Sequence, residues 1–165
     1  DLGQHGLPLL GFADWNDTVN LPTGAESLFT ANLYGVALRE VIALLEYIGQ
    51  PADEYITAYE EMKTRIEQHG WDGEWYRRAY FDDGTPLGSA SNQECKIDSI
   101  SQSWSVLSGA GDKKRSGMAM EALDKYLVRR DHNLIQLLDP PFDKSNLNPG
   151  TLRRTRARRE KKRPR

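Results

Sequence analysis

The 165-residue sequence contains one cysteine, Cys95, and three histidines, His5, His69 and His132. A lone cysteine excludes an internal disulfide and a Cys-rich zinc centre, and it fits a cytoplasmic location. The histidines are scattered without ligand spacing, so no metal site is expected. No run approaches the ~18 uninterrupted apolar residues of a spanning helix, so no membrane segment is expected. The first residues, Asp1-Leu2-Gly3-Gln4-His5, lack the basic and apolar regions of a signal peptide. They also lack an initiator methionine and open inside a loop-like stretch, which reads as a fragment. Neither a P-loop nor a Gly-x-Gly-x-x-Gly fingerprint occurs, so no cofactor is expected.

What is present is unevenly distributed. The formal charge of -2 hides nine basic residues between Leu152 and Arg165, opposed only by Glu160. That segment carries +8, which leaves -10 for the remainder. A basic tail on an acidic body attracts nucleic acid or anionic membrane in some proteins. This one has no interleaved aromatics and no apolar periodicity, so it reads as a disordered, solvated tail and no nucleic-acid partner is expected.

Along the body, Gly6 to Gly24 reads as loop. Glu26 to Ile48 reads as a helix with an apolar stripe of Leu28, Phe29, Leu33, Val36, Ala37, Val41, Leu44, Leu45 and Ile48. Thr23 or Gly24 is placed to cap its start and Gly49 to end it. Pro51 suits the first turn of a second helix running to about Gln68, closed by Gly70. Glu74 to Gly88 changes period and, around the Asp82-Asp83-Gly84 turn, reads as a β-hairpin excursion. Two further helices follow, Asp98 to Leu107 and Lys113 to Leu127, the latter with Met118, Ala122, Leu123 and Tyr126 inward. A short apolar run, Leu134 to Leu138, precedes Asp139-Pro140-Pro141-Phe142-Asp143, which must leave regular structure. The class is all-α: helical hairpins joined by long polar, aromatic loops, and loops of that length in a compact domain are usually functional.

Three constellations carry chemistry. Asp14-Trp15-Asn16-Asp17 combines two carboxylates, an amide and an indole, which suits a pyranose with hydroxyls at its rim and an apolar C–H face. A carboxyl beside an aromatic wall can have its pKa raised enough to protonate a glycosidic oxygen. The same tetrapeptide also suits an Asx-rich turn whose carboxylates bond their own backbone. The run Trp71 to Gly84 mixes charged and aromatic residues, as a carbohydrate cleft does, and Arg77 or Arg78 could bind an anion such as phosphate. It suits equally a half-buried hairpin with aromatic cross-strand pairs and solvated arginines. Finally, Asn92-Gln93-Glu94-Cys95-Lys96-Ile97-Asp98 places Glu94 at a loop–helix junction, able to hold substrate hydroxyls. Asp98 is read as a helix N-cap. Cys95 is read as packing, because no histidine nearby supplies a base.

Taken in order, Gly-Leu-Pro-Leu-Leu-Gly-Phe-Ala-Asp-Trp-Asn-Asp, Glu26-Ser27, Trp71-Asp72-Gly73-Glu74-Trp75-Tyr76-Arg77-Arg78-Ala79-Tyr80, Pro86-Leu87-Gly88-Ser89, Glu94-Cys95-Lys96-Ile97-Asp98, Gln102-Ser103-Trp104-Ser105-Val106 and Pro140-Pro141-Phe142-Asp143 form a collinear set. Together they resemble glycoside hydrolase family 94, the cellobiose and chitobiose phosphorylases and the related domain of cyclic β-1,2-glucan synthases. The resemblance spans residues 1 to 150.

The resemblance implies part of an (α/α)6 toroid over residues 1–150, with residues 151–165 as a separate basic tail. It implies inverting phosphorolysis of a β-linked disaccharide or oligosaccharide to α-glucose 1-phosphate. Asp17 matches the family's general acid and Trp15 the tryptophan of its glycosyl subsite. Glu94 resembles an acceptor-side binding position, while Asp14, Asn16, Arg77 and Arg78 stand as further substrate-binding candidates. Inorganic phosphate is the nucleophile and co-substrate, so one catalytic carboxylate suffices, in contrast to inverting hydrolases. A homodimeric parent is expected. Family members are several times longer, with an amino-terminal β-sandwich and the first toroid helices ahead of the Trp-Asn-Asp motif. They also continue beyond the Asp-Pro-Pro-Phe-Asp region into a Gly-Gly-Gln-Tyr-Thr-His stretch. Here the chain turns into Thr151-Leu152-Arg153-Arg154, which reads as out-of-frame translation or truncation. The isolated chain is expected to have little or no activity. The alternatives are the phosphorylase-like part of a cyclic β-1,2-glucan synthase, an inactive fragment, or a nucleic-acid binder driven by the tail.

Overall fold

The structure, a computed structural model, describes residues 1–11, 21, 23–144 and 150. A short strand, β1 (Glu26–Ser27), leads directly into α1 (Leu28–Tyr47). The helix therefore starts after Glu26, and its cap is Ser27, whose hydroxyl accepts the Thr30 N–H at 3.1 Å, in place of Thr23 or Gly24. The reason is non-local. Glu26 and Ser27 are held extended by pairing with Tyr80 and Ala79, and Leu9 bridges to Glu26 on the other side.

Next come α2 (Asp53–Arg65) and a π-helical turn, Ile66–Gly70. The second helix thus begins beyond Pro51, with Asp53 and Glu54 in its first turn where the helix dipole favours acids. β2 (Ala79–Tyr80) and β3 (Pro86–Leu87) form the expected hairpin, closed by Phe81 N–H to Thr85 O at 2.9 Å and by Gly84 at φ 81°. With β1 they make a three-stranded antiparallel sheet in the order β1-β2-β3, and Pro86 sits on its edge strand, where no ladder donor is lost.

The second half of the described chain repeats the strand-to-helix entry. β4 (Ile97–Asp98) runs into α3 (Ser99–Leu107), and Asp98 caps it as expected, accepting Ile100 N–H at 2.9 Å. Asp112 then caps α4 (Lys113–Leu127), which passes straight into β5 (Val128–Arg129). β6 (Leu134–Ile135) hairpins onto β5, and β7 (Leu138–Asp139) pairs with β4. The described residues are mostly helical, and their β content is three small sheets rather than one hairpin.

Helices pair as α1–α2 and α3–α4, and α1 also packs on α3. One core gathers Leu7, Leu28, Ala31, Met62, Ile66 and Tyr76; another gathers Trp75, Ile97, Ala122, Leu123 and Leu127 beneath α4. The expected α1 stripe is buried only at its start. Leu28, Phe29, Ala31, Gly35 and Leu38 face inward, whereas Leu33, Val41, Leu44 and Ile48 are exposed, Leu44 at 58%. On α4 the inward set is Ser116, Ala119, Ala122, Leu123 and Leu127, with Met118 and Tyr126 only half-buried. By length and composition α1 could also cross a membrane, unlike any other helix among the described residues. Its N-terminal half is nevertheless built into this core.

Polar groups lock the helix pairs together. Ser108 Oγ donates to Asn32 Oδ1 at 2.8 Å, Arg39 to Ser108 O at 3.0 Å, and Tyr59 OH to Gly109 O at 3.0 Å. Gly88 is required by both backbone and space: its φ is 80°, and a Cβ there would lie 2.7 Å from the Arg78 backbone nitrogen. Gly88→Ala should therefore cost about 2–4 kcal/mol, combining left-handed strain with a clash that no side-chain rotation relieves. Thermal denaturation checks this, and equal melting temperatures would contradict the packing.

Candidate active site

Asp14, Trp15, Asn16 and Asp17 lie outside the described residues. The chain on both sides of them is fixed. Leu10 donates its N–H to Ala25 O at 2.8 Å, and Leu10 and Leu21 are both buried in one apolar cluster with Ala25, Ala79, Leu87, Cys95, Leu138 and Phe142. Leu10 and Leu21, on either side of the motif in sequence, thus share a cluster with Cys95, the neighbour of Glu94.

Glu94 itself is 7% exposed. Its Oε1 accepts the backbone N–H groups of Asp143 at 2.8 Å and Lys144 at 2.6 Å. With Gln93, Pro140 and Pro141 these residues line a hollow of about 340 Å³. A larger hollow of about 550 Å³ runs along α2 past Ile56, Glu60 and Gln68 and contains none of the candidate residues. The backbone directly after Glu94 is fixed, since Cys95 donates to Pro140 O and Lys96 to Asp139 O at 2.9 Å. Cys95 is fully buried, and burial, followed by the nearby Asp98 charge, pushes its thiol well above the usual range. That agrees with its reading as a packing residue.

The two arginines of the aromatic run are turned toward partners within the chain. Arg77 bonds Asp72 Oδ1 through Nε at 2.8 Å and Nη2 at 2.6 Å, and donates to His69 O and the Tyr80 hydroxyl. Arg78 is 1% exposed, with its guanidinium over the Phe29 ring, 3.7 Å from Asp98 and 3.5 Å from the Ser27 hydroxyl. The cleft-lining expectation for this run is corrected at several positions: Trp75, Tyr76 and Tyr80 are all buried. Their aromatic surface serves the core instead. Burial pushes the Tyr80 phenol above its ordinary value, partly offset by Arg77. The half-buried His69 beside it is held low by desolvation and then by His5.

Several residues that organise the site region stand in the sequence only as members of its motifs, with no sign of the contacts they make. Gln102 acts as a side-chain strand, with Oε1 accepting Tyr76 N–H at 2.8 Å and Nε2 donating to Tyr76 O at 2.9 Å. Glu26, buried, accepts the N–H groups of His5 and Leu7 and the His5 ring nitrogen at 2.5 Å. Trp75 Nε1 donates to both Gly88 O and Lys96 O. A glutamine or glutamate near a helix start gives no local sign of which distant amide it will meet. Among the described residues no group of His, Cys, Asp and Glu is placed to hold a metal.

Comparison with known proteins fits this geometry into a family. The pattern of the glycosyl hydrolase 94 superfamily catalytic domain matches residues 1–160, which takes in part of the basic segment. The chain is thus part of a glycosyl hydrolase-type catalytic domain. It belongs to the glycosyl hydrolase 94 superfamily. It is 43% identical over 157 residues to the cyclic beta-(1,2)-glucan synthase NdvB of Rhizobium meliloti (strain 1021), covering 92% of this chain and 6% of that protein. It is 35% identical over 158 residues to the solabiose phosphorylase of Paenibacillus borealis (92% of this chain, 20% of that one). It is 36% identical over 132 residues to the N,N'-diacetylchitobiose phosphorylase of Vibrio proteolyticus (76% and 16%). The chain therefore spans between 6% and 20% of the length of these relatives.

With its thiol buried and its ionisation displaced upward, Cys95 should resist Ellman's reagent in the folded chain at pH 8. It should react fully once the chain is unfolded in guanidinium. Rapid labelling of the native protein would overturn the buried, protonated assignment.

Proposed function

We propose that residues 1–150 are a segment of the (α/α)6 catalytic domain of an inverting glycoside phosphorylase, with residues 151–165 a separate basic tail. In this reading inorganic phosphate attacks the anomeric carbon of a β-glucoside from the face opposite the glycosidic bond. Asp17 gives its proton to the departing glycosidic oxygen, and the products are α-glucose 1-phosphate and the shortened acceptor. Atoms balance without a second carboxylate, because phosphate arrives as an anion and needs positioning more than deprotonation. Trp15 offers its indole face to the glucosyl C–H surface, Asp14 and Asn16 take sugar hydroxyls, and Glu94 takes those of the acceptor. Arg77 and Arg78 act behind the site, steadying the sheet and the turn at Asp72. The reaction needs no cofactor, a cytoplasmic setting supplies the phosphate, and the parent works as a homodimer.

The observation that carries this reading is a shared anchorage: Leu10 and Leu21, flanking the Trp15-Asn16-Asp17 motif, enter the same cluster as Cys95 and Phe142, which flank Glu94 and its amide partners. Membership of the family and relatives that phosphorolyse solabiose and N,N'-diacetylchitobiose support it. A second reading has its own support in the 43% identity to a cyclic beta-(1,2)-glucan synthase. There the same chemistry would act on β-1,2-linked glucan inside a larger synthase.

The full-length parent, supplied with phosphate and either sophorose, cellobiose or N,N'-diacetylchitobiose, should release a sugar 1-phosphate from at least one of them. Asp17→Asn should lower that turnover roughly 10²–10⁴-fold, as loss of a general acid does. Unchanged turnover would remove Asp17 from its role. Formation of cyclic glucan from a nucleotide sugar by the same parent would select the second reading.

A further inference from the structure

The loop from Gly88 to Cys95 carries Glu94, and it is held at two places from outside. At its base Gly88 N–H bonds Cys95 O at 3.0 Å, and the Trp75 indole N–H bridges Gly88 O at 3.0 Å and Lys96 O at 2.8 Å. Near its tip stands Asp72, whose side chain is 6% exposed. Asp72 Oδ2 accepts Ala90 N–H at 2.6 Å, and Ser89 Oγ contacts both carboxylate oxygens, at 2.9 and 3.1 Å. On the other side Arg77 supplies the countercharge through two nitrogens. A buried carboxylate paired with a guanidinium and bonded to backbone N–H is among the stronger polar contacts available to a protein. Inside the loop Asn92 completes the frame, accepting Ser89 N–H at 2.9 Å and donating to Pro86 O at 2.8 Å. The loop is therefore stiff in itself; Trp75 and the Cys95 N–H on Pro140 O hold its base, and Asp72 holds its leading residues, Ser89 and Ala90.

We propose that Asp72 is a positioning residue for Glu94. By clasping Ser89 and Ala90 it fixes the loop so that the Glu94 carboxylate stays on the amides of Asp143 and Lys144 and presents one geometry to an acceptor sugar. This rests on the reading of Glu94 as an acceptor-binding group. An acceptor hydroxyl meets a group already frozen in place, so little ordering entropy is lost on binding. Releasing the loop loosens acceptor binding before it touches proton transfer.

The test uses the full-length parent with Asp72→Asn, Glu94→Gln and the double substitution, and Ser89→Ala as a milder variant should Asp72→Asn fail to fold. Two readouts are taken: KM and kcat for the disaccharide that the parent phosphorolyses, and hydrogen exchange at the Asp143 and Lys144 amides. Asp72→Asn should raise KM and speed exchange at both amides about tenfold, the scale of one lost charge-assisted hydrogen bond, with kcat within about twofold. Exchange along α4 should stay unchanged, and the double variant should be no worse than Glu94→Gln alone. If Glu94→Gln leaves KM unaltered, the acceptor-binding reading of Glu94 falls, and exchange at the two amides still decides whether Asp72 positions it. Unchanged exchange there, faster exchange throughout α4, or effects on KM that multiply in the double variant would each overturn the proposal.

Discussion

A peptide N–H buried without a partner costs about 1–3 kcal/mol, and this chain carries several in loops that no helix can satisfy. Side-chain oxygens meet that constraint one by one. Glu26 takes His5 and Leu7, Gln102 takes Tyr76, Asp72 takes Ala90, Asn92 takes Ser89, and Glu94 takes Asp143 and Lys144. Apart from Asn92, which braces Ser89 within a single loop, each of these contacts ties together segments distant in sequence. The helices give the chain its bulk, but this set of captured amides gives the loops their shape. Glu94 stands on one of those loops, so the placement of its carboxylate depends on these contacts.

The same economy explains why Asp72, Arg77 and Arg78 of the aromatic run look inward. Arg77 neutralises Asp72, and Arg78 shares the interior with Asp98, Ser27 and the Phe29 ring. Buried ion pairs of this kind are weak contributors to net stability, but removing one member leaves an expensive charge behind. Their value here is geometric. They fix where the sheet, the turn at Asp72 and the start of α3 meet, while apolar residues at the far ends of α1 and α3 remain uncovered in a chain that spans at most 20% of these relatives.

Much of the helical framework was legible because it is written in local periodicity and caps. The α3 and α4 boundaries, the Asp98 cap and the hairpin at Asp82-Asp83-Gly84 follow from spacing and turn chemistry alone. The start of α1 was misread because Glu26 and Ser27 are extended by partners more than fifty residues away, a pairing that no local propensity records. Its stripe was overextended because Val41, Leu44 and Ile48 carry a helical pattern that this chain does not bury. Trp75 and Tyr76 looked like cleft residues because composition cannot separate an aromatic that stacks on sugar from one that fills a core. Family membership was legible from the order of the motifs. The placement of Arg77, Arg78 and Glu94 against particular partners was not, because each depends on chain closure in three dimensions.

Trp75 offers a single indole N–H to the carbonyls on either side of the Gly88–Lys96 excursion. That contact works like a drawstring: once it is tied, the mouth of the pouch keeps its width whatever the pouch contains. Substitution at the exposed Ser91 and Gln93 can then change the outer surface of the pouch without loosening its mouth. The tie thus separates what this stretch shows at its surface from how its two ends are held.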